Sequence, residues 1–314
     1  MNIRNEAQIA EKRIRKFIRE TPLEYSPYLS RIGHCNVYLK LENLQLTGSF
    51  KIRGAMNKIL SSENQNEFVT ASSGNHGIAV AYTLNQLNLK GSIYLPEYTS
   101  TSKIEALSEY DVAINYFGKD CVQTEIFAKE KAKEKNLEYI SPYNDLKIIG
   151  GQATIGLELE NQLDSIESVL VPVGGGGLIS GIAGYLKPSN EDTKIIGCQP
   201  SNSSVMFESI EAGHIVDIES KDTISDGTVG GIEEDSITFD ICKKHVDDFI
   251  IVEEDEIKKG ILLALEKHSL LIEGAAALSI ASFLKRKDEF QGKNVILVLS
   301  GSRISLARLK ELMS

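Results

Sequence analysis

The stretch Val169-Leu170-Val171-Pro172-Val173-Gly174-Gly175-Gly176-Gly177-Leu178-Ile179-Ser180-Gly181-Ile182-Ala183-Gly184-Tyr185-Leu186 is the longest apolar run in the chain, and its reading decides the architecture. Its length suits a membrane-crossing helix, but Pro172, four consecutive glycines and two further glycines argue against one. The run divides instead into a strand, Val169–Val173, a glycine turn, and a helical segment, Leu178–Leu186. A strand that is apolar throughout is one covered on both faces, as parallel strands of α/β proteins are. The turn has chemical meaning too. Glycines let the backbone approach a ligand without Cβ interference, and the free N–H groups and dipole of the next helix attract an anion such as a phosphate. A tight turn without ligand is the plain alternative, and neither G-x-G-x-x-G nor a G-K-[ST] ending is present.

The same alternation continues in both directions. Candidate strands are Val37–Glu42, Phe68–Ser72, Ser92–Leu95, Val112–Phe117, Lys194–Cys198, Phe249–Val252 and Val295–Ser300. Helical periodicity marks Gly77–Leu87, Ser102–Tyr110, Cys121–Lys135, Thr154–Leu163, Asp255–Leu271 and Ala275–Lys287. Glu6–Arg19 reads as an amphipathic surface helix with Ala10, Ile14, Phe17 and Ile18 on its buried side. Ser201–Asp240, rich in Ser, Asp and Gly, reads as a long loop-bearing connection. The pattern predicts a doubly wound α/β fold with parallel-rich sheets and ligands at the carboxyl ends of strands.

With 314 residues the chain can bury a sizeable core. Hydrophobic content of 42% and charged content of 25% are ordinary for a globular protein. A net charge of −10 argues against a nucleic-acid partner. The cysteines Cys35, Cys121, Cys198 and Cys242 are widely spaced, which suits reduced thiols in a cytoplasmic protein and gives no disulfide framework. Five scattered histidines offer no metal-ligand spacing. The charged N-terminus lacks the apolar core of a signal peptide, so a soluble protein with no membrane partner is expected.

Three further segments carry chemistry. Thr47-Gly48-Ser49-Phe50-Lys51-Ile52-Arg53-Gly54-Ala55 places one lysine among small and apolar neighbours, between a candidate strand and a candidate helix. Desolvation or a nearby cation, here Arg53, would lower its pKa and make the amine a nucleophile for Schiff-base chemistry. A snorkelling lysine at a helix start is the other reading. Ser72-Ser73-Gly74-Asn75-His76-Gly77 gathers hydroxyls, an amide and backbone N–H groups at a strand-to-helix junction, an anion site sized for a carboxylate or else a cluster of caps. Ser300-Gly301-Ser302 closes the last apolar strand, where a serine faces a ligand or caps a helix. Ser100-Thr101-Ser102-Lys103 fits S-x-x-K, but its companion motifs are missing.

In order and spacing these four motifs resemble those of the fold-type II pyridoxal phosphate enzymes, the serine/threonine dehydratase and serine racemase group. The resemblance spans almost the whole chain and implies two doubly wound domains: 1–57 with 146–314 as the large cofactor domain, and 66–144 as the small domain carrying the substrate loop. It implies pyridoxal 5'-phosphate as cofactor, held by Lys51 as a Schiff base. Phe50 would lie against the ring, Asn75 would bond its 3-oxygen, Gly174–Gly177 would hold the phosphate, and Ser300 would meet the pyridine nitrogen. Ser72, Ser73, Asn75 and His76 would grip the substrate carboxylate. A serine at the ring nitrogen makes a weaker electron sink than a carboxylic acid would, which suits prompt loss of a β-substituent. The implied activity is an ammonia-lyase acting on L-threonine, L-serine or a close β-hydroxy amino acid, in a homo-oligomer. Ser73 matches a serine that works on the opposite substrate face in the racemases, so a serine or aspartate racemase with side dehydratase activity is the alternative.

Three departures from that family bear on function. Its usual S-G-G-N is Ser300-Gly301-Ser302-Arg303 here, which leaves open a modified substrate such as 3-hydroxyaspartate or a hydroxyectoine derivative. The E-P-S-N stretch of animal-type racemases is Gln199-Pro200-Ser201-Asn202, with Val205 at the aspartate position, a poor site for a hard divalent cation. The chain ends soon after the last expected helix, so the feedback control that a C-terminal regulatory domain gives biosynthetic threonine dehydratases is not expected.

Overall fold

The computed structural model describes residues 2–63, 67–119 and 121–313. The expected domain edge at residue 66 and the side chain of Cys121 lie outside the described part. Among the described residues are ten strands: β1 (Leu23–Tyr25), β2 (Asn36–Lys40), β3 (Phe68–Ala71), β4 (Gly91–Leu95), β5 (Ala113–Tyr116), β6 (Glu138–Tyr139), β7 (Ser168–Pro172), β8 (Lys194–Pro200), β9 (Asp248–Val252) and β10 (Asn294–Val298). They form two sheets. One has six strands in the order β1-β2-β10-β7-β8-β9, the other four in the order β5-β4-β3-β6. Every pairing is parallel except β1 with β2. The expected α/β architecture is therefore present.

Successive side chains of a strand point to opposite faces of its sheet. In β10 and the residue after it, Val295, Leu297 and Leu299 enter one apolar cluster while Ile296 and Val298 enter the other. Both faces are buried, which is why this strand and β7 read as continuous apolar runs. The two short strands β1 and β6 escaped the sequence reading because two or three residues carry no period.

Helix boundaries differ where a local breaker was overruled by packing. The helix expected from Thr154 starts at Leu146, capped by Asp145, and runs through Gly150 and Gly151 to Gln162. Each glycine marks a close approach: a Cβ on Gly151 would sit 2.4 Å from Arg53 O and 2.6 Å from Gly54 Cα in the helix Lys51–Ser61, and one on Gly150 would sit 2.4 Å from the Glu6 side chain. The N-terminal helix covers Ile3–Ile14 and a short turn follows it. Ala10, Ile14 and Ile18 are buried as expected, with Phe17 half-buried. Ser201–Asp240 is more ordered than expected. It holds the helix Val205–Ala212 and the start of Ile237–His245, around a connection at 213–236. No helix among the described residues is long and apolar enough to cross a membrane.

Candidate active site

The carboxyl ends of β3, β7 and β10 open onto one cleft of about 920 Å³. Phe50, Lys51, Ser72, Ser73, Asn75, His76, Gly174 to Gly177 and Ser300, all anticipated from sequence, line it together.

Lys51 is the first residue of its helix, so its side chain leaves the helix start and enters the cleft. Its ammonium donates to Pro142 O at 2.8 Å and lies 5.3 Å from the Phe50 ring centroid. Burial lowers its pKa to about 8, against the pull of Glu125 and Glu273. Arg53 contributes nothing to this, contrary to the sequence expectation. Two residues along an α-helix is a turn of about 200°, so Arg53 faces away from the cleft. There, fully buried, it pairs with Glu42 at 2.8 Å and Glu158 at 2.7 Å. Desolvation, not a neighbouring cation, tunes the lysine.

The glycine turn follows β7. Gly176 has φ +84, the left-handed region that a side chain disfavours, and caps the helix Gly177–Leu186. A Cβ on Gly175 would lie 2.5 Å from the Tyr143 ring. The turn is a cradle with no room for side chains, and the first-turn amides have no acceptor within their own helix. The second turn follows β3. Ser72 Oγ accepts the Gly74 N–H at 3.2 Å, and Asn75 opens the helix Asn75–Leu87. A Cβ on Gly77 would strike Ser72 O at 2.0 Å, so only glycine closes this turn. The His76 ring is turned to Ile140 O at 3.1 Å, and burial and then Lys51 push its pKa down to about 3. With Nε2–H donated to that carbonyl, the ring is neutral. What His76 retains for an anion is its backbone N–H.

Two polar atoms are orphaned in this cleft. Ser300 is 2% exposed and its Oγ has no hydrogen-bond partner; Asn75 Oδ1 is likewise buried and unpartnered. Buried polar atoms without partners are rare and point to a missing ligand. An aldehyde-reactive amine, a phosphate-sized cradle and a lone hydroxyl in one cleft fit pyridoxal phosphate.

Sequence reasoning missed Glu273. It is 3% exposed, accepts from Asn75 Nδ2 at 2.8 and 3.0 Å and from Arg303 N–H at 3.0 Å, and burial lifts its pKa to about 7. A glutamate before Gly274-Ala275-Ala276 looks like an ordinary helix cap, so no signal set it apart. Tyr143, beneath the glycine turn, was missed for the same reason: nothing local marks it. The departure at Ser302 is structural, since its Oγ donates to Asn43 O and Gly48 O, each at 3.2 Å, bracing the turn before Phe50. Arg303 is exposed at the cleft edge, with Nε on Thr47 O at 3.1 Å. Gln199 is occupied by the backbone, donating to Val173 O at 3.3 Å and accepting from Phe207 N–H at 2.8 Å.

Comparison with known proteins places this geometry. Residues 14–301 match the family described as pyridoxal-phosphate dependent enzyme. The catabolic L-threonine dehydratase of Staphylococcus aureus is 40% identical over 307 residues, 96% of this chain and 88% of that protein. The biosynthetic L-threonine dehydratase of Staphylococcus epidermidis is 38% identical over 311 residues, 96% of this chain and 74% of the other. Among solved structures, maize serine racemase superposes with a TM-score of 0.92 at 29% identity, covering 99% of this chain and 96% of its own. The processed threonine deaminase isoform 2 of Solanum lycopersicum gives 0.93 at 31% identity, covering 99% and 86%. A chain that carries the lysine, the glycine cradle and the orphaned serine, and matches over this length, belongs to the pyridoxal-phosphate dependent enzyme family.

Proposed function

We propose that this chain is an ammonia-lyase that eliminates water from L-threonine, L-serine or a close β-hydroxy amino acid, giving a 2-oxo acid and ammonia. The observation that carries the reading is the half-buried Lys51 amine, with a pKa lowered to about 8, set in one cleft with the two anion-binding turns. The dehydratase relatives support it at 40% and 38% identity.

Bound pyridoxal phosphate supplies the electron sink that makes the substrate Cα proton acidic. The residues do the rest. Gly174–Gly177 would offer backbone N–H groups to the phosphate, Phe50 would pack beside the ring, Ser300 Oγ would take the ring nitrogen, and Asn75 the 3-oxygen. Ser72, Ser73, Asn75 and His76 hold the substrate carboxylate, His76 through its backbone. Lys51 both anchors the cofactor and, as a neutral amine, accepts the Cα proton. A hydroxyl at the ring nitrogen would donate without surrendering a full proton, which would make the bound cofactor a weaker electron sink than a carboxylic acid partner would.

Ser73 Oγ forms no hydrogen bond with the described residues and stands free in the cleft. That favours a second reading, racemisation of serine or aspartate through proton return from the other face. We assign the enzyme to the cytoplasm as a homo-oligomer of two-domain subunits, 1–57 with 146–314 and 66–144. Support for that division is that the four-stranded sheet draws only on Phe68–Tyr139. The test is product analysis of the cofactor-loaded protein with L-serine, L-threonine and L-3-hydroxyaspartate. Oxo acid without D-isomer supports the lyase, D-isomer in excess replaces it with the racemase, and no product from any of the three refutes elimination from these substrates and racemisation of serine.

A further inference from the structure

Glu273 has no part in the reaction above, and its own helix does not explain its position. It stands at the N-cap of the helix Gly274–Arg286 yet makes no side-chain bond to that helix. An acidic residue there would ordinarily accept a first-turn N–H. Instead the carboxylate turns into the cleft and takes the Asn75 amide nitrogen. The charged groups facing it are Lys51 across the cleft, Asp226 from the turn Asp226–Thr228, and Arg303 after the last strand. Burial foremost and Asp226 push its pKa up to about 7, while Asn75 and Arg303 restrain the rise. The other end of the same amide, Asn75 Oδ1, is buried without a partner.

A carboxylate only accepts hydrogen bonds, so an ionised Glu273 demands the amide nitrogen of Asn75. A carboxylic acid carries an O–H that seeks an acceptor, and the orphaned Oδ1 is one amide rotation away. We propose that Glu273 is a positioning residue whose ionisation decides which end of the Asn75 amide is turned to the 3-oxygen of pyridoxal phosphate. This rests on the assignment of Asn75 to that oxygen. With Glu273 ionised, the amide nitrogen is held on the carboxylate. With Glu273 protonated, its O–H takes Oδ1 and the amide nitrogen is released, so that an N–H is donated to the phenolic oxygen and favours its ionised form. The charge of the cofactor oxygen is then tied to a carboxyl group that never touches substrate.

The experiment is a pH titration of the absorbance spectrum of the holoenzyme, wild type beside Glu273→Gln and Asn75→Ala. Glutamine has the same shape, donates and accepts, and does not titrate. In the wild type the ratio of visible to near-ultraviolet cofactor bands shifts with a midpoint near 7, where Glu273 titrates. In both variants the ratio stays flat from about pH 5.5 to 8.5, a window spanning that titration on both sides. A purely structural Glu273 would lower cofactor content or melting temperature without moving the midpoint. A transition that survives in either variant overturns the inference, as does a wild type with none. A protein showing no cofactor band at any pH overturns the cofactor assignment as well, and the spectrum separates the two failures.

Discussion

Replacing Lys51 by methionine should make the cofactor-free protein more stable at neutral pH while ending its chemistry. Burial holds the amine at about 8 in the folded protein, below its ordinary 10.5. A lysine with a depressed folded pKa opposes folding wherever the unfolded amine is protonated. The penalty is complete below about 8, fades as pH rises toward 10.5, and is gone above it. That drop corresponds to ~3 kcal/mol, at about 1.4 kcal/mol per pKa unit. Methionine keeps the length of the stem but gives up the bond to Pro142 O, worth about 1 kcal/mol. The expected gain is therefore about 2 kcal/mol near pH 7.5, reversing to a small loss near pH 10.5 once the wild-type amine is neutral in both states. Urea unfolding of both cofactor-stripped proteins at the two pH values measures it. A variant no more stable at the lower pH, or a gap that does not close on raising the pH, would show that Lys51 is not held desolvated.

Gly175→Ala drives a methyl group into the Tyr143 ring, three of whose atoms lie within 2.6 Å of the new Cβ. Overpacking of this kind costs about 1–3 kcal/mol, and equilibrium dialysis should show cofactor affinity reduced at least ~10-fold; unchanged affinity would remove the turn from the phosphate site. Ser300→Ala deletes a buried hydroxyl that has no protein partner. Its cofactor-free stability should stay within about 0.5 kcal/mol of wild type while turnover falls sharply, and a large stability loss would mean the hydroxyl is already bonded. Glu158→Gln breaks the pairing with Arg53, Lys40 and Arg15 and should cost about 3–5 kcal/mol in denaturant unfolding. Burial works against the Glu158 carboxylate, but Arg53 and Lys40 bring its pKa down to about 2 from 4.5. The stability it confers is thus present above pH 4.5 and is lost as pH falls toward 2, so the variant's deficit should shrink in acid.

Much of this was legible in the sequence because the information is local. Val169–Val173 and Val295–Leu299 are apolar throughout because both sheet faces are covered, and a run of four glycines announces a turn that tolerates no side chain. Lys51, Ser72 to His76 and Ser300 are legible for the same reason, each at a strand end or helix start. The unread part is long-range. Glu273 faces Asn75 from 198 positions away, and Tyr143 meets Gly175 across a gap no pattern encodes. Arg53 was misread because proximity in sequence was taken for proximity in space. The start at Leu146 was missed because Gly150 and Gly151 resemble breakers, although the crossing with Gly54 is what requires Gly151 and the packing of Glu6 is what requires Gly150.

The helix Lys51–Ser61 shows how one element serves two electrostatic ends. Its cleft face carries a lysine that must lose its charge easily, so Glu125 and Glu273 act on it without forming an ion pair and its hydrogen bond goes to a carbonyl oxygen at 2.8 Å. Its back face carries an arginine that must never lose charge. Burial alone would depress Arg53, but Glu42 and Glu158 hold its pKa above the ordinary value. Breaking such a buried pair is expensive, so the cluster fixes the helix against Leu146–Gln162 and against the segment bearing Thr21. That second helix begins just after Tyr143, the floor of the glycine turn. Lys51 and the phosphate cradle are therefore referenced to one rigid joint, and the charges that stiffen it are kept a half-turn away from the amine they would otherwise perturb.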